Sequence, residues 1–69
     1  MKENWDEMIK RAVRDIARNR KIDEYEVTRE MILDSTESFG ELHTIACKNG
    51  VDESEWEDLV GYVMWRYEV

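Results

Sequence analysis

The sequence predicts an all-α protein, a compact antiparallel helical bundle with helices over about 4–20, 24–34, 36–48 and 53–68, all within one domain spanning 1–69. Three observations carry this. Apolar residues recur at three- and four-residue spacing through most of the chain. There is no proline and there are only three glycines among 69 residues, so little interrupts a helix. The periodic segments are punctuated by capping and stop signals. A composition of 42% hydrophobic and 39% charged residues is too apolar for a disordered tail.

The first segment is NWDEMIKRAVRDIARNRK. Asn4 is placed to cap, and Asp6 and Glu7 suit the positive end of the helix dipole. Trp5, Met8, Ile9, Ala12, Val13 and Ile16 trace one face. At about 100° per residue, Lys10, Arg11, Arg14, Arg18 and Lys21 gather on the opposite one.

In the second segment, IDEYEVTREMILDS, Asp23 and Glu26 form a D-x-x-E capping signature. Ile22, Tyr25, Thr28 or Arg29, and Ile32 are expected to share its buried face. The β-branched and aromatic residues of YEVT leave room for a short extended piece. The third segment follows the turn-like DSTES, with Phe39, Leu42, Ile45 and Ala46 along one face and Asn49-Gly50 as its stop. The fourth carries the best local signal. Asp52 as cap, Glu55 three residues on, and Val51 flanking Trp56 fit a capping box inside a hydrophobic staple.

The fourth helix is apolar on two sides. Trp56, Leu59, Val60, Val63, Met64 and Tyr67 fill the arc expected to face the core, while Tyr62, Trp65 and Val69 lie opposite. That second stripe either packs within the monomer or is a contact surface, and Trp and Tyr are enriched at interaction hot spots. The contact reading predicts that Trp65→Ala leaves the protein folded.

Size and composition bound the function. A chain this short is marginally stable, and such domains add disulfides, a metal, oligomerisation or very regular helix packing. Cys47 is the only cysteine and His43 the only histidine, so an internal disulfide is excluded and a four-ligand structural zinc site is disfavoured. A single thiol, a charged N-terminal segment and the absence of a long apolar run predict a cytoplasmic protein without membrane contact.

Few residues point to chemistry. His43 and Cys47, four apart, could form a reactive pair, but a free Cys beside an apolar face is more often a small buried hydrophobe. DSTESFGELHTI lacks the glycine and the bidentate Glu of a calcium loop. Acid pairs such as Glu53/Glu57 and Glu37/Glu41 are ordinary surface spacings. The sequence therefore predicts no enzyme, no cofactor and no metal.

Charge is uneven within the net −7. Residues 10–21 hold six Lys/Arg against one Asp, and residues 22–69 hold three against thirteen acids. The basic stripe can meet phosphates, and Glu37, Glu41, Glu53, Glu57 and Asp58 can form an acidic surface able to mimic nucleic acid. The reading that follows is a small acidic protein-protein interaction module, a regulator or inhibitor working through the aromatic stripe on a protein partner or as a homodimer. The alternatives are a nucleic-acid-associated accessory protein using the basic stripe, and an acidic mimic that blocks a basic partner.

Overall fold

The computed structural model describes residues 3–37 and 39–67, with side chains from Trp5 onward. Among them are four α-helices and no strand: α1 (Glu3–Arg20), α2 (Arg29–Asp34), α3 (Glu41–Lys48) and α4 (Glu53–Arg66), with a 3₁₀ turn at Glu24–Glu26. The protein is an all-α helical bundle measuring 32 × 24 × 19 Å.

The amphipathic face of α1 forms half of the core. Trp5, Met8, Ile9, Ala12 and Ile16 are buried, and Val13 packs half-buried beside them. Met8, Ile9 and Ile16 each contribute about 1.5–3 kcal/mol by being removed from water. The helix begins at Glu3, so Asn4 lies inside the first turn and is not its cap. It ends at Lys21, whose φ of 60° is left-handed, and the Ile22 N–H reaches back to the Ala17 carbonyl at 3.0 Å. That closure satisfies a carbonyl that a helix end otherwise leaves free.

The second predicted helix is in fact two pieces. The Asp23–Glu26 signature caps only the 3₁₀ turn, where the Asp23 N–H donates to Glu26 Oε1 at 2.9 Å. Val27 and Thr28 are extended, and the Thr28 hydroxyl accepts the Met31 N–H at 3.2 Å, starting α2. A cap inside the expected helix thus broke it. The expected buried face changes accordingly: Ile32 is buried, but Tyr25 is 85% exposed, while Val27, Met31 and Leu33 pack against the core.

The third predicted helix starts five residues late. The Ser35 and Thr36 hydroxyls each donate to the carbonyl three residues back, Ile32 and Leu33, at 2.6 Å. These local bonds end α2 and compete with a new helix. The chain then turns through Phe39, whose φ is 68°, and α3 begins after Gly40. The expectation that Phe39 joins the core face is therefore wrong. The left-handed turn breaks the helical phase, and its ring is 98% exposed. Gly40 is required sterically, because a Cβ there would collide with the backbone carbonyl and Cα of Ser35. That same Ser35 carbonyl accepts the His43 N–H at 2.9 Å.

At its other end α3 stops at Gly50, with φ 78° and the Val51 N–H bonded to the Ala46 carbonyl at 3.1 Å. The capping box then opens α4, with Glu55 Oε1 accepting the Asp52 N–H at 3.3 Å. Leu59 and Val63 of α4 complete the core with Leu42 and Ala46 of α3.

Consecutive long helices run antiparallel. Asn19 near the end of α1 donates to Glu41 at the start of α3 at 2.7 Å, and Arg11 and Lys48 border one hollow at the other end of the pair. Returning in the sense of α1, α4 meets Trp5 and Asp6 through Tyr62, and Tyr67 borders a hollow with Lys10 and Val13. Arg29 of α2 donates to the Met64 carbonyl at 3.3 Å, satisfying an orphan acceptor in the last turn of α4.

Candidate interaction site

The two apolar sides of α4 do not divide as the helical projection suggests. Leu59 and Val63 are buried, Trp56, Val60 and Tyr67 are half-buried, and Met64, expected in the core arc, is 49% exposed. The Met64 carbonyl faces Arg29, and the six-residue α2 is too short to cover its side chain as well.

Within the second stripe, Tyr62 and Trp65 have different neighbours, and Val69 lies outside the described residues. Tyr62 packs edge-on against buried Trp5, with ring centroids 5.7 Å apart at 70°. Its hydroxyl donates to Asp6 Oδ1 at 2.6 Å, and Arg66 Nε stands 3.9 Å from the same carboxylate oxygen. The bond to Asp6 holds the phenol above its ordinary range, with burial adding to it, and burial does the same for Tyr67. Trp65 stacks at a tilt on the outer side of Tyr62, 5.8 Å away, and is 68% exposed. The result is a three-ring ladder from the core to the surface: Trp5 buried, Tyr62 half-buried and tethered, Trp65 largely bare.

One turn before Trp65 stands Gly61, exposed, with nothing within 4 Å of where a Cβ would sit. A bulky ring and a bare stretch of helix backbone therefore lie side by side on one face, at i and i+4.

His43 and Cys47 do meet, with the sulfur 3.9 Å from a ring nitrogen, and the His43 ring packs edge-on on Trp56 at 5.2 Å. Cys47 is exposed, contrary to its expected place as a small buried hydrophobe. The α3 axis turns Leu42 and Ala46 inward, and Cys47, one position beyond Ala46, points to solvent. Among the described residues no group of three or more His, Cys, Asp or Glu comes together to hold a metal ion.

All five cations of the basic stripe, Lys10, Arg11, Arg14, Arg18 and Lys21, are exposed. Arg14 pairs loosely with Glu24 at 3.9 Å and Arg18 with Asp15 at 3.8 Å. Lys48, which sequence periodicity gave no reason to include, joins Arg11, Arg14 and Arg18 around an open hollow of 330 Å³ between α1 and α3. The acidic residues fall at the two ends of α3. Glu37 and Glu41 flank its start, Glu41 being half-buried against Asn19, while Glu53, Glu57 and Asp58 ride the exposed first turns of α4.

Among the described residues no helix is long and apolar enough to cross a membrane. No family model matches the chain, and neither a curated protein nor a solved structure matches it.

Proposed function

We propose that this protein is a small protein-protein interaction module whose anchor is Trp65, and that its first partner is a second copy of itself. The observation that carries the reading is the exposed Trp65 ring seated on a Tyr62 that Asp6 holds in place. A tethered pedestal lowers the entropy lost when the ring is captured, which is how preorganised aromatic anchors gain affinity.

The neighbouring Gly61 supports a self-complementary use. If two α4 helices cross antiparallel about a two-fold axis, Trp65 of one copy meets Gly61 of the other, twice over. Exposed Met64 adds a flexible apolar rim. A standard interface buries about 800 Å² per partner, roughly one-sixth of this protein's 5152 Å². Two side chains fall short of that, so the self-association is weak and concentration-dependent. A regulator or inhibitor built this way works by presenting the same ring to a groove on a larger protein, with the basic and acidic surfaces selecting it.

The test is solution mass by light scattering over a wide concentration range, for the native sequence, Trp65→Ala and Gly61→Leu. The reading requires the native mass to climb towards a dimer and both variants to stay monomeric with unchanged helicity.

A further inference from the structure

The basic stripe of α1 is half of a composite feature. Arg11, Arg14 and Arg18, with Asp15 among them, line the α1 side of the hollow between α1 and α3, and Lys48 and apolar Ile45 line the α3 side. A second hollow of 410 Å³ adjoins it, sharing Asp15, Arg18, Ile45 and Lys48, and reaches Phe39, Glu41 and Thr44. Together they make one open channel along the α1–α3 seam, basic at one end and aromatic at the other. Arg11 to Arg18 spans about 10 Å along α1.

Four cations, Arg11, Arg14, Arg18 and Lys48, outnumber the two lining carboxylates, Asp15 and Glu41, a local positive excess in a protein of net −7. Among the described residues Arg11 and Lys48 have no carboxylate within 4.0 Å, and the Arg14 and Arg18 partners stand at 3.9 and 3.8 Å on exposed side chains. Glu41, at the Phe39 end, accepts from the Asn19 amide at 2.7 Å. Loose exposed pairs of this kind contribute little and yield readily to a better anion. The acids elsewhere are screened beyond a Debye length of about 8 Å at physiological salt.

Phe39 is the second, independent observation. Its φ of 68° is strained for a bulky residue, and its ring contributes nothing to the core, being 98% exposed. Glycine would satisfy the turn without strain, so the fold alone gives no reason for phenylalanine. A bare ring at the end of a cationic channel is what a base stacks on while phosphates track the cations.

We infer that the α1–α3 channel binds a short segment of single-stranded nucleic acid, with Arg11, Arg14, Arg18 and Lys48 on the phosphates and Phe39 stacked on a base. The chemistry is shared by DNA and RNA. A duplex fits poorly, because its bases are already stacked and its broad approach brings the remote acidic surfaces close. This site is separate from the Trp65 face, and the two readings stand or fall separately.

Fluorescence anisotropy of labelled oligo-dT and oligo-U, each of about twelve nucleotides, tests it with the full chain at low salt. Binding of either is expected, falling with salt at a log–log slope of about −2 to −3 for three or four phosphates. Phe39→Gly should weaken it about tenfold while raising the melting temperature, so that loss of binding is not loss of fold. Changing Arg11 and Lys48 together to Gln should flatten the salt slope, and Trp65→Ala should leave binding unchanged. Absence of binding at low salt, equal binding of Phe39→Gly, equal binding of a duplex, or equal competition by polyglutamate would each overturn the inference.

Discussion

The Tyr62 hydroxyl donates to Asp6 Oδ1 at 2.6 Å, joining α4 to the first turn of α1 across 56 positions of sequence. The bond fixes the ring on which Trp65 rests, and it links folding to pH. Folding raises the Tyr62 phenol above 10.0, chiefly through that bond, and raises Tyr67 through burial. The folded state therefore holds both protons more tightly than the unfolded chain. Their stabilisation is complete below about pH 10 and is lost as pH rises through the folded values. Tyr62→Phe should lower the melting temperature at neutral pH and lose less of it on going alkaline. Thermal melts of the two proteins from neutral to strongly alkaline pH check both.

Gly40→Ala should be among the most damaging single-methyl changes in the chain. The new Cβ meets the Ser35 backbone, which cannot swing aside because its carbonyl is bonded to the His43 N–H. A loss of about 3 kcal/mol is expected, a large part of the stability of so small a domain. Urea denaturation measures it.

Gly61→Ala should do the reverse. The site is exposed, in the interior of α4, with open space where the methyl goes. Replacing a mid-helix glycine by alanine gains about 0.8–1 kcal/mol. The same urea experiment reads it, at a concentration low enough to keep the protein monomeric.

Leu42→Ala and Leu59→Ala each empty a fully buried site at the junction of the helices. Each should cost about 2–5 kcal/mol, enough to leave a marginal domain largely unfolded. Circular dichroism and chemical denaturation distinguish a weakened fold from a lost one.

Cys47 should react with a thiol reagent in the native protein without prior unfolding, because its side chain is exposed. Protection that disappears only in denaturant would contradict its position on α3.

Much of this architecture is written locally. The periodic face from Trp5 to Ile16, the Asp52–Glu55 box and the Asn49-Gly50 stop are each contained within a turn or two, and the structure carries all three. Where the helices depart from the apolar periodicity, one physical cause recurs, competition from short-range hydrogen bonds. The Thr28 hydroxyl capped a helix where periodicity ran straight through, and Ser35 and Thr36 tied off α2 before α3 could begin. With the start of α3 displaced, Phe39 lost its helical phase and its expected place in the core.

The site residues are less legible in the sequence because they depend on partners far along the chain. A helical projection places Tyr62 and Trp65 on one side of α4, yet only Tyr62 finds Trp5 and Asp6 beneath it. Lys48 enters the basic channel only because α3 lies antiparallel along α1. No spacing rule within one helix carries that information.

Solution mass against concentration decides whether Trp65 on its Tyr62 pedestal anchors a second copy. The native protein should rise from 8.3 kDa towards twice that value, with Trp65→Ala and Gly61→Leu both remaining monomeric and fully helical. A native protein that stays monomeric throughout, or a Trp65→Ala variant that unfolds, would contradict it.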